Sequence, residues 1–134
     1  MGQLTTYQNY IDGQWSDSVS GETYTITNPA HKSQVLGRFQ RSNNEDAVRA
    51  IEAARNALDG WASTPAPQRA AILFKALQLM EARGDELARS ITIEEGKPIG
   101  DAMGEVKRSM NITEYAAGEG RRMFGNTTPS ELPN

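Results

Sequence analysis

The hydrophobic period of this chain changes at about Ser42, and that change limits the folds available to it. Before Ser42, short runs rich in β-branched and aromatic residues are separated by turn residues, as in strands. After Ser42, apolar residues recur every three or four positions, as in amphipathic helices. Strands followed by a run of helices predict an α+β fold, with short antiparallel strands within about residues 10–39 and about four helices within about residues 43–124.

The first strands are predicted to form a tight hairpin. Tyr10-Ile11 and Gln14-Trp15 flank Asp12-Gly13, a dipeptide that tolerates the positive backbone angles of a two-residue turn. A polar stretch separates this pair from Thr23–Thr27, and Gln34–Phe39 is predicted as a further strand. The aromatic residues of the hairpin are expected to pack across its strands.

Polar residues and prolines mark the predicted helix starts. Ser42, followed three residues later by Glu45, fits a capping box. Thr64-Pro65 fits a hydroxyl cap followed by proline at the first helical position. Asp85 is predicted to cap a third helix.

The third helix is predicted to end at Gly96, and Pro98 is predicted to open a fourth helix that runs to Phe124. Each helix has a stripe of residues that we expect to be buried. These stripes are Ile51, Ala54, Leu58 and Trp61; Leu73, Leu77 and Met80; Leu87 and Ile91; and Met103, Val106, Met110, Thr113 and Ala117.

Length and charge exclude several classes of protein. The 134 residues suffice for one domain with a core but not for a two-domain enzyme. The net charge is -3, with basic and acidic residues interspersed, so no positive field exists to hold a nucleic acid. No apolar run is long enough to span a membrane, and the amino terminus lacks the pattern of a secretory signal. We therefore expect a cytoplasmic protein with neither nucleic acid nor membrane as a partner.

The residues themselves provide little for catalysis. The chain has no cysteine, which excludes a thiolate nucleophile, and its single histidine, His31, has no second histidine with which to bind a metal. The Gly118–Gly125 segment does not match the spacing of a dinucleotide loop. Gly96-Lys97-Pro98 lacks the upstream glycine of a phosphate loop, so a helix-to-helix turn explains it better. Glu94-Glu95 fits a solvated helix end, and no catalytic or cofactor-binding residue is assigned.

Several short segments occur in an order and spacing that are typical of one known family. They are Tyr10-Ile-Asp-Gly-Gln-Trp15, Thr27-Asn-Pro29, the alanine-rich helix ending in Trp61, Arg69-x-x-Ile72-Leu73, Met80-Glu81-x-Arg83-x-x-Glu86-Leu87-Ala88, Glu95-Gly-Lys-Pro98 and Ala102-x-Gly-Glu-Val-x-Arg108. Together they cover almost the whole chain. In this order they resemble the opening of the aldehyde dehydrogenase superfamily.

The resemblance implies that the α+β arrangement is an incomplete piece of a larger domain. In the family, the hairpin and these helices belong to the cofactor-binding domain and pack around its α/β Rossmann-like sheet. Residues 1–124 are then expected to be the amino-terminal part of that domain. Residues 125–134 are expected to be an extended linker toward the missing remainder.

The resemblance also implies an oxidoreductase that converts an aldehyde to an acid. A cysteine thiolate attacks the carbonyl, hydride passes to NAD or NADP, and water activated by a glutamate releases the acid. In the family these groups lie beyond the position of residue 134, and the absence of cysteine here agrees with that. We expect the intact enzyme to be a homo-oligomer. The chain alone is expected to be an inactive scaffold that binds no cofactor by itself.

Three residues receive roles from the resemblance. The backbone carbonyl of Thr27 and the side chain of Glu94 match positions that hold a structural monovalent cation in some members, and oxygen ligands suit such an ion. Arg108 falls near the aldehyde entrance tunnel, which the helix ending near Phe124 borders. There it could bind the distal carboxylate of a semialdehyde. The alternative for Arg108 is a surface or interdomain salt bridge.

A second function is open at this stage, a free-standing helical module that binds a partner protein and has no enzymatic activity. The two functions predict different behaviour of the isolated chain. Helices that normally cover a sheet supplied by further residues would expose apolar stripes, so the enzyme hypothesis predicts association, swapping or partial disorder.

Overall fold

The computed structural model describes residues 4–122 of the chain. Within them, five short strands precede four helices, which confirms the predicted α+β order. The strands are β1 (Thr6–Tyr7), β2 (Asn9–Ile11), β3 (Gln14–Ser16), β4 (Thr23–Thr27) and β5 (Val35–Gln40). The helices are α1 (Asn44–Ser63), α2 (Ala66–Ala82), α3 (Gly84–Glu95) and α4 (Ile99–Glu119).

The predicted hairpin is present, formed by β2 and β3. Its turn places Asp12 at φ 52° and Gly13 at φ 75°, the pair of positive angles that the dipeptide predicted. Tyr10 lies opposite Trp15, and their ring centroids are 4.9 Å apart. The cross-strand aromatic packing is therefore confirmed.

The other sheet has the order β1-β5-β4, and it is not purely antiparallel as predicted. β4 pairs with β5 in the antiparallel direction, whereas β1 pairs with β5 in parallel. The Tyr7 ring stacks on Phe39 at 4.8 Å and lies above Gly37, where a side chain would collide with it. β1 escaped prediction because a strand of two residues is too short to show an alternating pattern.

The capping box of α1 lies one residue later than predicted. The Asn43 side chain accepts hydrogen bonds from the backbone N–H groups of Glu45 and Asp46, and the Asp46 carboxylate accepts the Asn43 N–H at 3.0 Å. Ser42 lies one residue before the N-cap, and its Oγ instead accepts a hydrogen bond from Asn9 Nδ2 at 2.8 Å. The predicted pairing of Ser42 with Glu45 is therefore wrong.

Two further predicted caps are also wrong. Thr64 ends α1 instead of starting α2, since its hydroxyl donates to the Gly60 carbonyl at 2.8 Å. Pro65 then occupies the N-cap position of α2, without a side-chain cap. Asp85 lies inside the first turn of α3, whose N-cap residue is Arg83.

The turn between α3 and α4 follows the prediction. Gly96 ends α3 in the left-handed region at φ 76°, and Pro98 directly precedes α4. α4 ends at Glu119, earlier than predicted. Phe124 and the predicted linker at residues 125–134 lie outside the described residues.

The helical core is small and centred on α4, which packs against both α2 and α3. Ala88, Ala102 and Val106 form its buried cluster, with Leu87, Ile91 and Met110 partly buried against it. Ala70 on α2 and Ala117 on α4 are also buried. In the described part of the chain, no side chain larger than valine is buried.

The predicted buried stripe of α1 is exposed to solvent. Ile51 is 67% exposed, Leu58 59% and Trp61 48%, and Leu73 on α2 and Met103 on α4 are also exposed. Helical spacing identifies an apolar face, but the element that covers it must come from elsewhere. Within residues 4–122 α1 contacts mainly β2, and Trp61 at its end is covered in part by Arg69 of α2, so most of this face is left open.

None of the helices between residues 4 and 122 has the length and apolar character needed to cross a membrane.

Candidate functional site

Of the three residues with assigned roles, Glu94 lies next to the turn from α3 to α4, Thr27 lies at the end of β4, and Arg108 lies further along α4. Gly96 makes this turn possible for two reasons. Its φ of 76° is costly for other residues, and a Cβ on it would lie 3.0 Å from both Ala30 N and Pro29 Cγ. The glycine therefore lets the end of α3 approach the loop after β4.

That loop is held by Asn28, which is only 4% exposed. Its side-chain oxygen accepts the Ala30 N–H at 2.9 Å, and its amide nitrogen donates to Gln34 Oε1 at 2.9 Å. The Asn28 N–H also donates to the Gln34 carbonyl. These bonds fix the backbone that follows β4 where it meets Gly96.

The two predicted cation ligands flank this contact. Thr27 directly precedes Asn28 at a register shift between β4 and β5, and Glu94 lies two residues before Gly96. Both residues are exposed. Two oxygen ligands do not complete the coordination of a hard cation, and no group of three or more His, Asp or Glu side chains suited to a metal occurs within residues 4–122. Thr27 and Glu94 would thus form part of a ligand set, and this assignment stays a prediction.

Lys97 joins the two helices that meet at the turn. Its Nζ lies 2.6 Å from Glu95 Oε2 on α3 and 2.6 Å from Glu105 Oε1 on α4. The hydrogen bond to Glu105, followed by that to Glu95, raises the pKa of Lys97 above its ordinary value. Sequence reasoning treated this lysine only as part of a turn. The signal that could have revealed it is a lysine placed between glutamates on two consecutive helices.

Arg108 lies on the exposed side of α4, one turn after Glu105. Among residues 4–122, no carboxylate lies within salt-bridge distance of its guanidinium. The group is thus available for an anion. The structure brings Arg108 onto the helix that Lys97 contacts, whereas Thr27 and Glu94 lie at the α3 side of the turn.

A groove between α2 and α4 was not predicted from the sequence. It has a volume of about 360 Å³ and is lined mainly by apolar atoms, with Trp61 at one side and Leu73 and Gly120 among its walls. The Arg69 guanidinium lies over the Trp61 ring at 5.9 Å, and its Nε is buried without a hydrogen-bond partner in the described structure. The Gly118–Gly120 part of the dismissed glycine segment lies at the carboxyl end of α4.

Residues 15–134 match the aldehyde dehydrogenase family, so the chain belongs to that family. The assignment from the seven sequence segments is confirmed.

Individual relatives agree with the family assignment. The malonate-semialdehyde dehydrogenase 1 of Geobacillus thermodenitrificans is 44% identical over 127 residues, which are 95% of this chain and 26% of that protein. The structure of a succinate-semialdehyde dehydrogenase from Burkholderia pseudomallei superposes with a TM-score of 0.87 at 37% identity, covering 96% of this chain and 26% of that one. An NAD-dependent aldehyde dehydrogenase from Sinorhizobium meliloti gives 0.86 at 34% identity, covering 92% and 25%. The chain thus spans about a quarter of the length of these relatives.

Proposed function

We propose that residues 1–124 are the amino-terminal part of the cofactor-binding domain of an NAD(P)-dependent dehydrogenase that oxidises a carboxylate-bearing semialdehyde. In that enzyme the segment serves as scaffold, and Arg108 binds the distal carboxylate of the substrate. The observation that carries the proposal is the amount of apolar surface that the segment leaves open.

The segment leaves much of its apolar surface open for a self-sufficient domain. Within residues 4–122 the buried hydrophobic residues are four alanines and one valine. Large apolar side chains on the helices are exposed, among them Ile51, Leu58, Ile72, Leu79 and Ile112. Faces of this kind require a covering layer, and the remaining three-quarters of a dehydrogenase like the relatives would supply one.

The relatives and Arg108 support the proposed substrate class. Two of the relatives act, by their names, on malonate semialdehyde and succinate semialdehyde, each of which carries a carboxylate away from the aldehyde. A guanidinium presents donors in a planar fork that matches a carboxylate with two parallel hydrogen bonds. Arg108 is exposed and free of a salt bridge within residues 4–122, so it can make this contact.

We propose that the dinucleotide is held by other parts of the intact enzyme and not by this segment. A dinucleotide site uses a glycine-rich turn between a strand and a helix, and the junction between β5 and α1 carries Arg41-Ser42-Asn43 instead. When bound, the nicotinamide cofactor accepts the hydride. In this proposal the role of the segment is to orient the substrate and to support the domain.

Thr27 and Glu94 complete the proposal as two ligands of a structural monovalent cation. Its support is the fixed backbone after β4, held by Asn28 against Gly96 next to the end of α3. A cation there would tie the strand layer to the helices.

A chimeric enzyme tests the scaffold role. In the Burkholderia pseudomallei succinate-semialdehyde dehydrogenase, the matched quarter is replaced by this chain, and reduction of NAD(P)⁺ is followed with succinate semialdehyde. The proposal predicts turnover that depends on the inserted segment, with the relative lacking this quarter as the control. A soluble, folded chimera without turnover would contradict the scaffold role.

Arg108→Ala in the same chimera tests the substrate contact. Loss of a charge-assisted pair predicts a fall in kcat/KM of about tenfold or more on succinate semialdehyde and little change on butanal, which has the same length and no carboxylate. Lys107→Ala removes a neighbouring positive charge and is the matched control. Equal losses on the two aldehydes after Arg108→Ala would rule out the contact.

A further inference from the structure

Arg108 has one natural partner on its own helix. Residues three and four positions apart are neighbours on a helix surface, and for Arg108 these are Gly104, Glu105, Asn111 and Ile112. Glu105 is the acidic residue among them. A pair between Glu105 and Arg108 would occupy the guanidinium that the proposed function assigns to the substrate.

The chain forms such pairs elsewhere with the same order and spacing. Asp46 pairs with Arg49 at 3.8 Å on α1. Glu119 pairs with Arg122 at 2.7 Å at the end of α4. An acidic residue three positions before an arginine can therefore reach it in this protein.

At Glu105 the carboxylate is held by a different cation. Lys97 Nζ donates to Glu105 Oε1 at 2.6 Å and also contacts Glu95 at 2.6 Å. The backbone at Lys97 is constrained on both sides, by Gly96 in the left-handed region and by Pro98, whose ring fixes φ. The lysine is thereby directed from the turn onto the first turns of α4.

We propose that Lys97 is a positioning residue for Arg108, because it holds the Glu105 carboxylate away and leaves the guanidinium open to the carboxylate of a semialdehyde. The inference rests on the proposed substrate contact of Arg108 and names the residue that keeps that contact available. The three-residue spacing permits a helix pair without enforcing it, since Glu52 and Arg55 have it and form no salt bridge. The effect of Lys97 must therefore be measured directly.

Side-chain NMR of the 134-residue chain tests the geometry without reference to activity. In the unmodified chain, the Nε–H of Arg108 should exchange rapidly with water. Lys97→Met should slow that exchange, because the released Glu105 carboxylate accepts the hydrogen bond, and adding Glu105→Gln should restore rapid exchange. Lys107→Met, which removes a charge without touching Glu105, is the control. Unchanged exchange after Lys97→Met would overturn the proposal.

Kinetics of the chimeric enzyme test the consequence. Lys97→Met should raise KM for succinate semialdehyde by about twofold and leave the kinetics with butanal unchanged, since a helix pair of this spacing is weak. Glu105→Gln alone should not raise KM for succinate semialdehyde, although it breaks the same ion pair. An equal rise in KM after Lys97→Met and after Glu105→Gln would mean that the ion pair only supports the turn. This result would overturn the proposal.

The Arg108→Ala variant separates the two ideas. A selective loss after Arg108→Ala, together with an unchanged substrate ratio after Lys97→Met, would remove the role of Lys97 and leave the proposed function standing. Equal loss on both aldehydes after Arg108→Ala would remove the substrate contact itself, while the NMR experiment would still decide where the Glu105 carboxylate lies.

Discussion

At the scale of single residues, the sequence predicted the role of some residues in the turn between α3 and α4 but not of others. Gly96 was predictable as a helix end because left-handed backbone at that position favours glycine. The role of Lys97 was not, because its partner Glu105 lies eight residues further on and the contact depends on how the turn directs the side chain. Arg108 was assigned through the family resemblance, and the structure adds that it is unpaired within residues 4–122.

Gly96→Ala should loosen the end of α3. The substitution adds a Cβ at φ 76° and places it 3.0 Å from Ala30 N, so we expect a cost of about 1–2 kcal/mol from the backbone angle alone. Hydrogen exchange of the Gly96 N–H, which donates to the Thr92 carbonyl, should then accelerate roughly five- to thirtyfold. Gly60→Ala is the control, since Gly60 has open space around it inside α1. If the N–H at position 96 exchanges equally slowly in both variants, neither the positive φ nor the close approach to Ala30 requires glycine at this position.

At the scale of elements, the order of strands and helices followed from the change in hydrophobic period, but several boundaries did not. Ser42 has the residue type of a cap, but its hydroxyl accepts a hydrogen bond from Asn9 in β2. These two residues are too far apart in the sequence for local patterns to predict the contact. Asn43 then takes the capping role. Similarly, the parallel pairing of β1 depends on residues more than thirty positions apart.

Asn43→Ala should weaken the start of α1. Loss of the side-chain acceptor for the first free N–H groups costs about 1 kcal/mol. Hydrogen exchange of the Glu45 and Asp46 amides should therefore accelerate about fivefold. Ser42→Ala should have a smaller effect at these amides, because Ser42 does not accept from them. A larger acceleration after Ser42→Ala than after Asn43→Ala would instead support the capping box of Ser42 and Glu45 that the sequence predicted.

At the scale of the whole molecule, the helical stripes were placed correctly on their helices but not all of them are covered. Val106 and Ala117 are buried as predicted, because α4 is packed by α2 and α3. Ile51 and Leu58 are exposed, because the described chain places little against that face of α1, and Trp61 is covered only in part by α2. Periodicity shows which face is apolar, and only the rest of the tertiary structure shows what lies on it.

The central claim is that this chain is a scaffold segment whose apolar faces need further protein to cover them. Sedimentation velocity of the 134-residue chain over a range of concentrations tests it most directly. Exposed stripes on α1 and α2 predict self-association that increases with concentration. A single monomeric species at every concentration, in a chain whose circular dichroism confirms the helices, would contradict the claim and favour a free-standing module.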